Sequence, residues 1–254
     1  MINLVLLGSG NVATHLYRAF SASEKVQVVQ VYNHSENGLA EFEKETPVTT
    51  SLDEIFKADV YLLALKDDVI PQISRALKDR EGLIAHTSGA VSLAALDACT
   101  RAGVFYPLQT FSKQKELNYC EIPFCLEAKD QKDLDLLKIL AGEISGKAYE
   151  ISSAQRKKLH LSAVFVCNFA NHLYTIGENI CRENEMPFEI LQPLIQETAN
   201  KVKTSSPSEV QTGPAIRHDG STIEAHLELL NDPDQKEIYQ TLTHAIQNFY
   251  GKKL

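Results

Sequence analysis

Six residues near the N-terminus, Gly8-Ser9-Gly10-Asn11-Val12-Ala13, constrain the fold more than any other stretch of the chain. They follow the apolar run Ile2–Leu7 and precede a helix-like stretch over 12–20, giving the order strand, G-x-G-x-x-A, helix. In that order the first glycine permits a tight turn, the second lets the backbone approach a pyrophosphate, and the small third residue lets the helix pack on the strand. The phosphates then rest on the helix N-terminus. A plain βα turn is the competing reading, because the motif also arises by chance in loops. Its context favours a dinucleotide: from Ala58 onward, short Val/Ile/Leu runs alternate with helical segments, as repeated βαβ units require.

The rest of the first half continues that alternation. Strands are predicted over Val26–Tyr32, 47–49, 59–65, Leu83–His86 and 103–106, with helices over 36–44 and 52–56. The run 59–65 is almost wholly apolar, as a strand covered on both faces should be. Asp68 is placed to cap a helix running towards Lys78, with Pro71 tolerated in its first turn. Residues 122–127, 130–144 and 148–151 read as one more βαβ unit. After Ser152 the alternation stops, and 153–181, 187–203, 221–230 and Pro233–Tyr250 read as helices, Ser221-x-x-Glu224 looking like a capping box. The expected architecture is an α/β Rossmann-like domain with a mostly parallel sheet over 1–151, then an all-helical substrate and dimerisation domain over 152–254.

Composition narrows the partners. A formal net charge of −8 over 254 residues argues against nucleic acid or an anionic membrane and for a small molecule. Five cysteines without a C-x-x-C pair, and a first strand that begins at residue 2, lead to the expectation of a cytoplasmic protein. Residues 159–181 are apolar on nearly all faces, but Asn168, Asn171 and His172 in the middle argue against a membrane span and for a buried or dimer-interface helix. No H-E-x-x-H, C-x-x-C or carboxylate array is present, so no metal is expected.

The cofactor's identity is read about twenty residues past the glycines, where an acidic side chain selects the unphosphorylated ribose. Here the chain carries Asn33-His34-Ser35, none acidic and all able to hydrogen-bond a phosphate, which favours NADP over NAD. No Arg or Lys occupies the triplet to hold the 2′-phosphate firmly.

The turn Gly8–Ala13, His86-Thr87-Ser88-Gly89-Ala90, Tyr106-Pro107-Leu108-Gln109-Thr110-Phe111 and Thr212-Gly213-Pro214-Ala215-Ile216-Arg217-His218-Asp219 together resemble an uncharacterised bacterial family. Its members join a Rossmann-like NADP domain to a helical domain of unknown function. More distantly the chain is similar to pyrroline-5-carboxylate reductase, 6-phosphogluconate dehydrogenase and the β-hydroxyacid dehydrogenases. That resemblance implies hydride transfer between NADP(H) and a C=O or C=N bond in a cleft between the domains, and a homodimer built through the helices.

Candidate site residues follow from strand ends and from the resemblance. The loops after the strands place Ala64, Leu65 and Lys66 with the glycine turn at the cofactor, and His86, Ser88 and Gly89 beside it. Ser88-Gly89 matches a substrate-holding Ser-Gly of the β-hydroxyacid dehydrogenases; a turn whose serine caps the next helix is the alternative. His86 suits acid–base work or a structural bond to backbone. On the long helix, His160, Val164, Asn168, Asn171, His172 and Thr175 are spaced as a polar stripe. In the β-hydroxyacid dehydrogenases a catalytic lysine sits four residues before the matching asparagine; if that asparagine is Asn168, the lysine position is Val164. His160 is the candidate general acid in its place, with Gln109 and Arg217 as substrate contacts, Arg217 equally able to pair with Asp219. Two further readings stay open: a non-catalytic sensor that kept the fold, and a reductase taking electrons from a deazaflavin or flavin partner.

Overall fold

The computed structural model describes residues 1–251, and their contacts divide the chain into two units, Met1–Val164 and Phe165–Leu254. The first unit holds eight strands: β1 Ile2–Leu7, β2 Val26–Tyr32, β3 Val48–Thr49, β4 Val60–Leu63, β5 Leu83–His86, β6 Ala102–Pro107, β7 Phe124–Ala128 and β8 Ala148–Glu150. They form one sheet in the order β3-β2-β1-β4-β5-β6-β7-β8. The order reverses between β1 and β4, which opens a crevice at their carboxyl ends. All pairs are parallel except β6 with β7, where Phe105 faces Leu126 in antiparallel register. The predicted βαβ unit therefore exists, but it joins the sheet upside down.

Alternation along each strand sends side chains to opposite faces. Leu4 and Leu6 pack with Leu16 and Phe20 of α1 (Asn11–Ser21) and with Leu137 and Leu140 of α3 (Gln131–Ile144). Val5 and Leu7 join Tyr61, Leu63 and Ile73 of α2 (Ile70–Ala76) on the other face. Burying a large aliphatic side chain contributes about 1.5–3 kcal/mol, so two such layers fix the sheet between its helices. The charged helix α3 starts where expected, with the Asp130 carboxylate accepting the Asp133 N–H at 2.9 Å.

Two local expectations fail in this unit. Residues 36–44 form consecutive turns instead of a helix, with Leu39 N–H bonded to Glu36 O and the N–H groups of Phe42 and Glu43 both bonded to Leu39 O. Gly38 sits at φ +81°, a left-handed step that stops helical propagation; Leu39 and Phe42 are buried all the same. Asp68 does not cap α2: it is exposed, and the helix is entered through a backbone turn in which Val69 N–H bonds Lys66 O. Pro71 stands in the first turn, as anticipated.

The long helical pattern resolves into α4 (Ser153–Ala163), a π-helical turn Val164–Phe169, and α5 (Ala170–Glu183). The division between units falls inside that π turn. α4 is thus part of the first unit, its start fixed by a reciprocal Ser152–Gln155 capping box. The second unit adds α6 (Gln192–Thr204), α7 (Gly220–Leu229) and α8 (Pro233–Tyr250). The expected Ser221–Glu224 box is absent: the Asp219 carboxylate caps α7, accepting from Thr222 N–H at 3.1 Å, Thr222 Oγ1 and Ser221 Oγ. Nor is the apolar stretch buried within this chain, since Phe165 is 62% and Val166 78% exposed. Among the described residues no helix is long and apolar enough to cross a membrane.

Candidate functional site

Gly8 leaves β1 at φ +121°, and a Cβ placed on it would lie 2.2 Å from the Ala64 carbonyl oxygen. Only glycine fits that crossing of the β1 and β4 ends. Gly10 differs: its φ is ordinary, and a Cβ would meet nothing within 4 Å. It is the N-cap of α1, no side chain caps it, and the first turn carries no acid. A helix N-terminus so left has free N–H groups and a positive field that favour an anion. The open space over Gly10 thus fits a pyrophosphate, in a turn where Ser9, Asn11 and Val12 keep some exposure while Gly8 and Ala13 are buried.

The turn and α1 are braced from two sides. Asn11 Nδ2 donates to the Phe111 carbonyl at 2.9 Å, and the buried ring of His15 bonds both the Tyr119 hydroxyl and the Ser112 carbonyl. The segment after β6 is thereby tied along α1. Ser9 Oγ donates to the Asn37 carbonyl, close against Gly38. Asn33 is buried and spends its amide on the Ser35 and Asn37 carbonyls, so it shapes the loop. His34 is exposed and Ser35 half-buried, its Oγ within 3.4 Å of the Asn33 amide. Ala64 and Leu65 lie against Gly8, while Lys66 is exposed.

Beyond β5 the chain turns through His86-Thr87-Ser88-Gly89, all buried. His86 Nδ1 accepts the Ser88 N–H, and its Nε2 has no hydrogen-bond partner. Burial first, then the nearby Arg156 charge, lower its pKa to about 4. His86 is therefore a neutral structural ring. A histidine whose folded pKa is depressed leaves stability intact above its unfolded value near 6.5 and removes it as pH falls towards 4. His86→Leu should flatten that window: wild type loses about 1–2 kcal/mol more than the variant between pH 7 and pH 5, read from urea unfolding. Equal losses would contradict a neutral His86.

Ser88 Oγ accepts the N–H groups of Ala90 and Val91 within its own turn and keeps its own proton to donate, whereas the next short helix is capped by Ser92, not by Ser88. Gln109 is exposed and folds its Oε1 onto Thr110 N–H. Of the stripe, His160 is half-buried in α4, whereas Asn168, Asn171, His172 and Thr175 are exposed. The stripe is thus no buried polar ladder, and Asn168 sits in the π turn of the second unit with Val164 four residues before it. Arg217 is exposed in that unit as well. It adds only the weakest of the influences that hold Asp219 below the usual carboxylate range, Thr222 and Ser221 dominating.

The structure supplies one partner the sequence did not single out. Tyr106, next to last in β6, places its hydroxyl 3.2 Å from His160 Nδ1, the rings meeting edge-on at 72°. Burial pushes the Tyr106 pKa up, so the phenol stays protonated.

Comparison with known proteins bears on the family and the fold. A family described as NADP oxidoreductase, coenzyme F420-dependent, matches residues 3–88, and a domain of unknown function, DUF2520, matches residues 122–246. No curated protein matches the chain. Among solved structures, a protein of Bacteroides fragilis described as a putative NADP oxidoreductase is 38% identical, with 97% of this chain and 98% of that one covered and a TM-score of 0.90. An imine reductase of Myxococcus stipitatus, solved with NADP+, is 14% identical over 98% and 93% of the two chains, TM-score 0.67. A pyrroline carboxylate reductase of Plasmodium falciparum with NADP bound is 15% identical over 98% and 97%, TM-score 0.60. The last two share the fold.

Proposed function

The chain belongs to the same family as that Bacteroides fragilis protein, and from this premise we propose that it is an NADP(H)-dependent oxidoreductase acting on a small molecule with a C=O or C=N bond. The observation that carries the reading is the uncapped N-terminus of α1 behind an open Gly10, at the carboxyl end of the sheet beside its reversal point. NADPH, when bound there, supplies a hydride. Gly8–Ala13 would hold the pyrophosphate, His34 and Ser35 the 2′-phosphate, and Ala64, Leu65 and Lys66 would border it. Ser88 and Gly89 would flank the substrate.

Gly10→Val tests the cradle. A Cβ at this position meets nothing within 4 Å, so the variant should fold with stability within about 1 kcal/mol of wild type. The new side chain fills the phosphate space, so NADPH affinity, followed by fluorescence titration, should fall at least ~10-fold, about 1.4 kcal/mol. NADPH binding at wild-type strength in Gly10→Val would remove the proposed function. NADH should bind more weakly than NADPH to the wild-type protein.

We extend the proposal to a homodimer through the helices. Among residues 165–251 only Cys181, Ala215 and Thr243 are buried, while Phe165, Leu173, Ile190, Leu194, Leu229 and Phe249 lie exposed. A helical unit with so little interior, and this much apolar surface, calls for cover by another copy. Sedimentation equilibrium should return twice the chain mass at micromolar concentration; a monomer would overturn the dimer.

A further inference from the structure

Gly89 accounts for how Tyr106 and His160 meet. A Cβ on Gly89 would lie 2.7 Å from Tyr106 Cζ, 2.9 Å from its hydroxyl and 2.8 Å from His160 Nδ1. The loop after β5 can pass beneath the pair only because it has no side chain there. The helix under His160 is pinned as well: one turn earlier, buried Arg156 bonds Glu127 and the Val91 carbonyl, and Ser153 Oγ accepts the Leu93 N–H. Both rings of the pair are half-buried, whereas His86 nearby is sealed.

The pair's position matters as much as its geometry. It stands at the carboxyl ends of β5 and β6, on the far side of the sheet's reversal point from β2 and the Asn33 loop. A dinucleotide with its pyrophosphate on α1 and its adenosine over β2 extends its other half over β4, β5 and β6.

We propose that Tyr106 and His160 form a proton relay at the nicotinamide end of this crevice; the inference rests on the NADP(H) reading above. A neutral His160 accepts the phenolic proton at Nδ1 and carries its own on Nε2; a protonated one donates from Nδ1 to the phenolic oxygen. In carbonyl reduction, for which the bound cofactor would supply the hydride, Tyr106 gives its proton to the substrate oxygen. The Tyr106 O–H bond breaks as the alcohol O–H forms, Nδ1–H of protonated His160 restores the phenol, and neutral His160 regains a proton from water. Oxidation runs the same transfers backwards. A sealed sensor would carry apolar side chains at this place.

The test reads the histidine directly. In uniformly 15N-labelled protein, with the His160 ring signal identified by His160→Gln, NADP+ and adenosine 2′,5′-bisphosphate are added separately. Both should shift the amides of Gly8–Ala13, and only NADP+ should shift the His160 ring. Tyr106→Phe and Gly89→Ala should each change which His160 nitrogen is protonated, with NADP+ affinity within ~3-fold of wild type, under 0.7 kcal/mol. Shifted turn amides with an unmoved His160, or an unchanged ring in Tyr106→Phe, overturns the relay and leaves the cofactor site standing. Turn amides that respond to neither nucleotide overturn the cofactor reading itself.

Discussion

Gly8→Ala should destabilise the protein by about 3 kcal/mol or more and abolish measurable NADPH binding. At φ +121° an L side chain is strained whatever the space around it. Here the space is also taken, the new Cβ falling 2.2 Å from the Ala64 carbonyl oxygen and 3.0 Å from its carbon. Neither atom is free to move. Ala64 N–H bonds Leu7 O, and Gly8 N–H bonds Tyr32 O, so the crossing is tied to β4 on one side and β2 on the other. Relief would require opening the carboxyl ends of β1 and β4, where Leu7 pairs with Leu63 in the fully buried centre of the sheet. For a chain of this size the melting temperature should drop by roughly 6–12 °C. Because Gly10→Val fills empty space and Gly8→Ala strikes backbone, the two variants separate binding from folding. A Gly8→Ala protein within about 1 kcal/mol of wild type would show that the turn is looser than its geometry requires.

What the sequence disclosed about this fold was mostly local or strongly periodic. The Gly8–Ala13 turn is legible because backbone sterics act within a few residues, and the apolar runs of β1, β4 and β5 are legible because both faces of each are covered. Strand direction was not: alternation along 122–127 is the same whether β7 runs with β6 or against it. The 36–44 segment buries Leu39 and Phe42 at helical spacing, yet Gly38 and the Asn33 brace hold it as turns. Ser221 lost its cap to Asp219, two residues earlier, whose carboxylate reaches three donors at once.

The site divides along the same line. His160 was marked out as a polar residue on an apolar helix, but its partner Tyr106 lies 54 positions away and is reached only through the sheet. Within the motif Tyr106–Phe111 the sequence reading points to Gln109 as the substrate contact and leaves Tyr106 as the last residue of a predicted strand. The absence of a side chain at Gly89 was the available signal. A glycine directly after Ser88 in a buried turn says that something approaches closely, though not what.

Arg156→Ala should cost about 3–5 kcal/mol, the second large effect. Its guanidinium is wholly buried, with Nη1 on Glu127 Oε2 at 2.6 Å and Nη2 on the Val91 carbonyl and Ser153 Oγ. Removal strands the Glu127 carboxylate, which is only 19% exposed, and the Val91 carbonyl with it. Replacing both partners, as Arg156→Met with Glu127→Gln, should recover most of the loss, because the penalty lies in the unpaired charge more than in the missing attraction. Arg156→Lys should not recover it, since an ammonium cannot serve two separated acceptors as a planar fork does. Acid provides the sign. Burial raises the Glu127 pKa, but hydrogen bonds from Ser153 and Arg156 outweigh it and hold the carboxyl below its usual range. A carboxylate depressed in the folded state adds stability above its unfolded pKa and loses it as pH falls through the folded value. The gap between wild type and Arg156→Ala should therefore be widest at neutral pH and narrow below pH ~4, measured by urea unfolding across that range. It should also move the His160 ring signal, because Arg156 sits one turn before it and sets where α4 stands. A loss under about 1 kcal/mol, or a gap indifferent to acid, would mean that α4 is held by packing and that the Tyr106–His160 approach owes nothing to the buried pair.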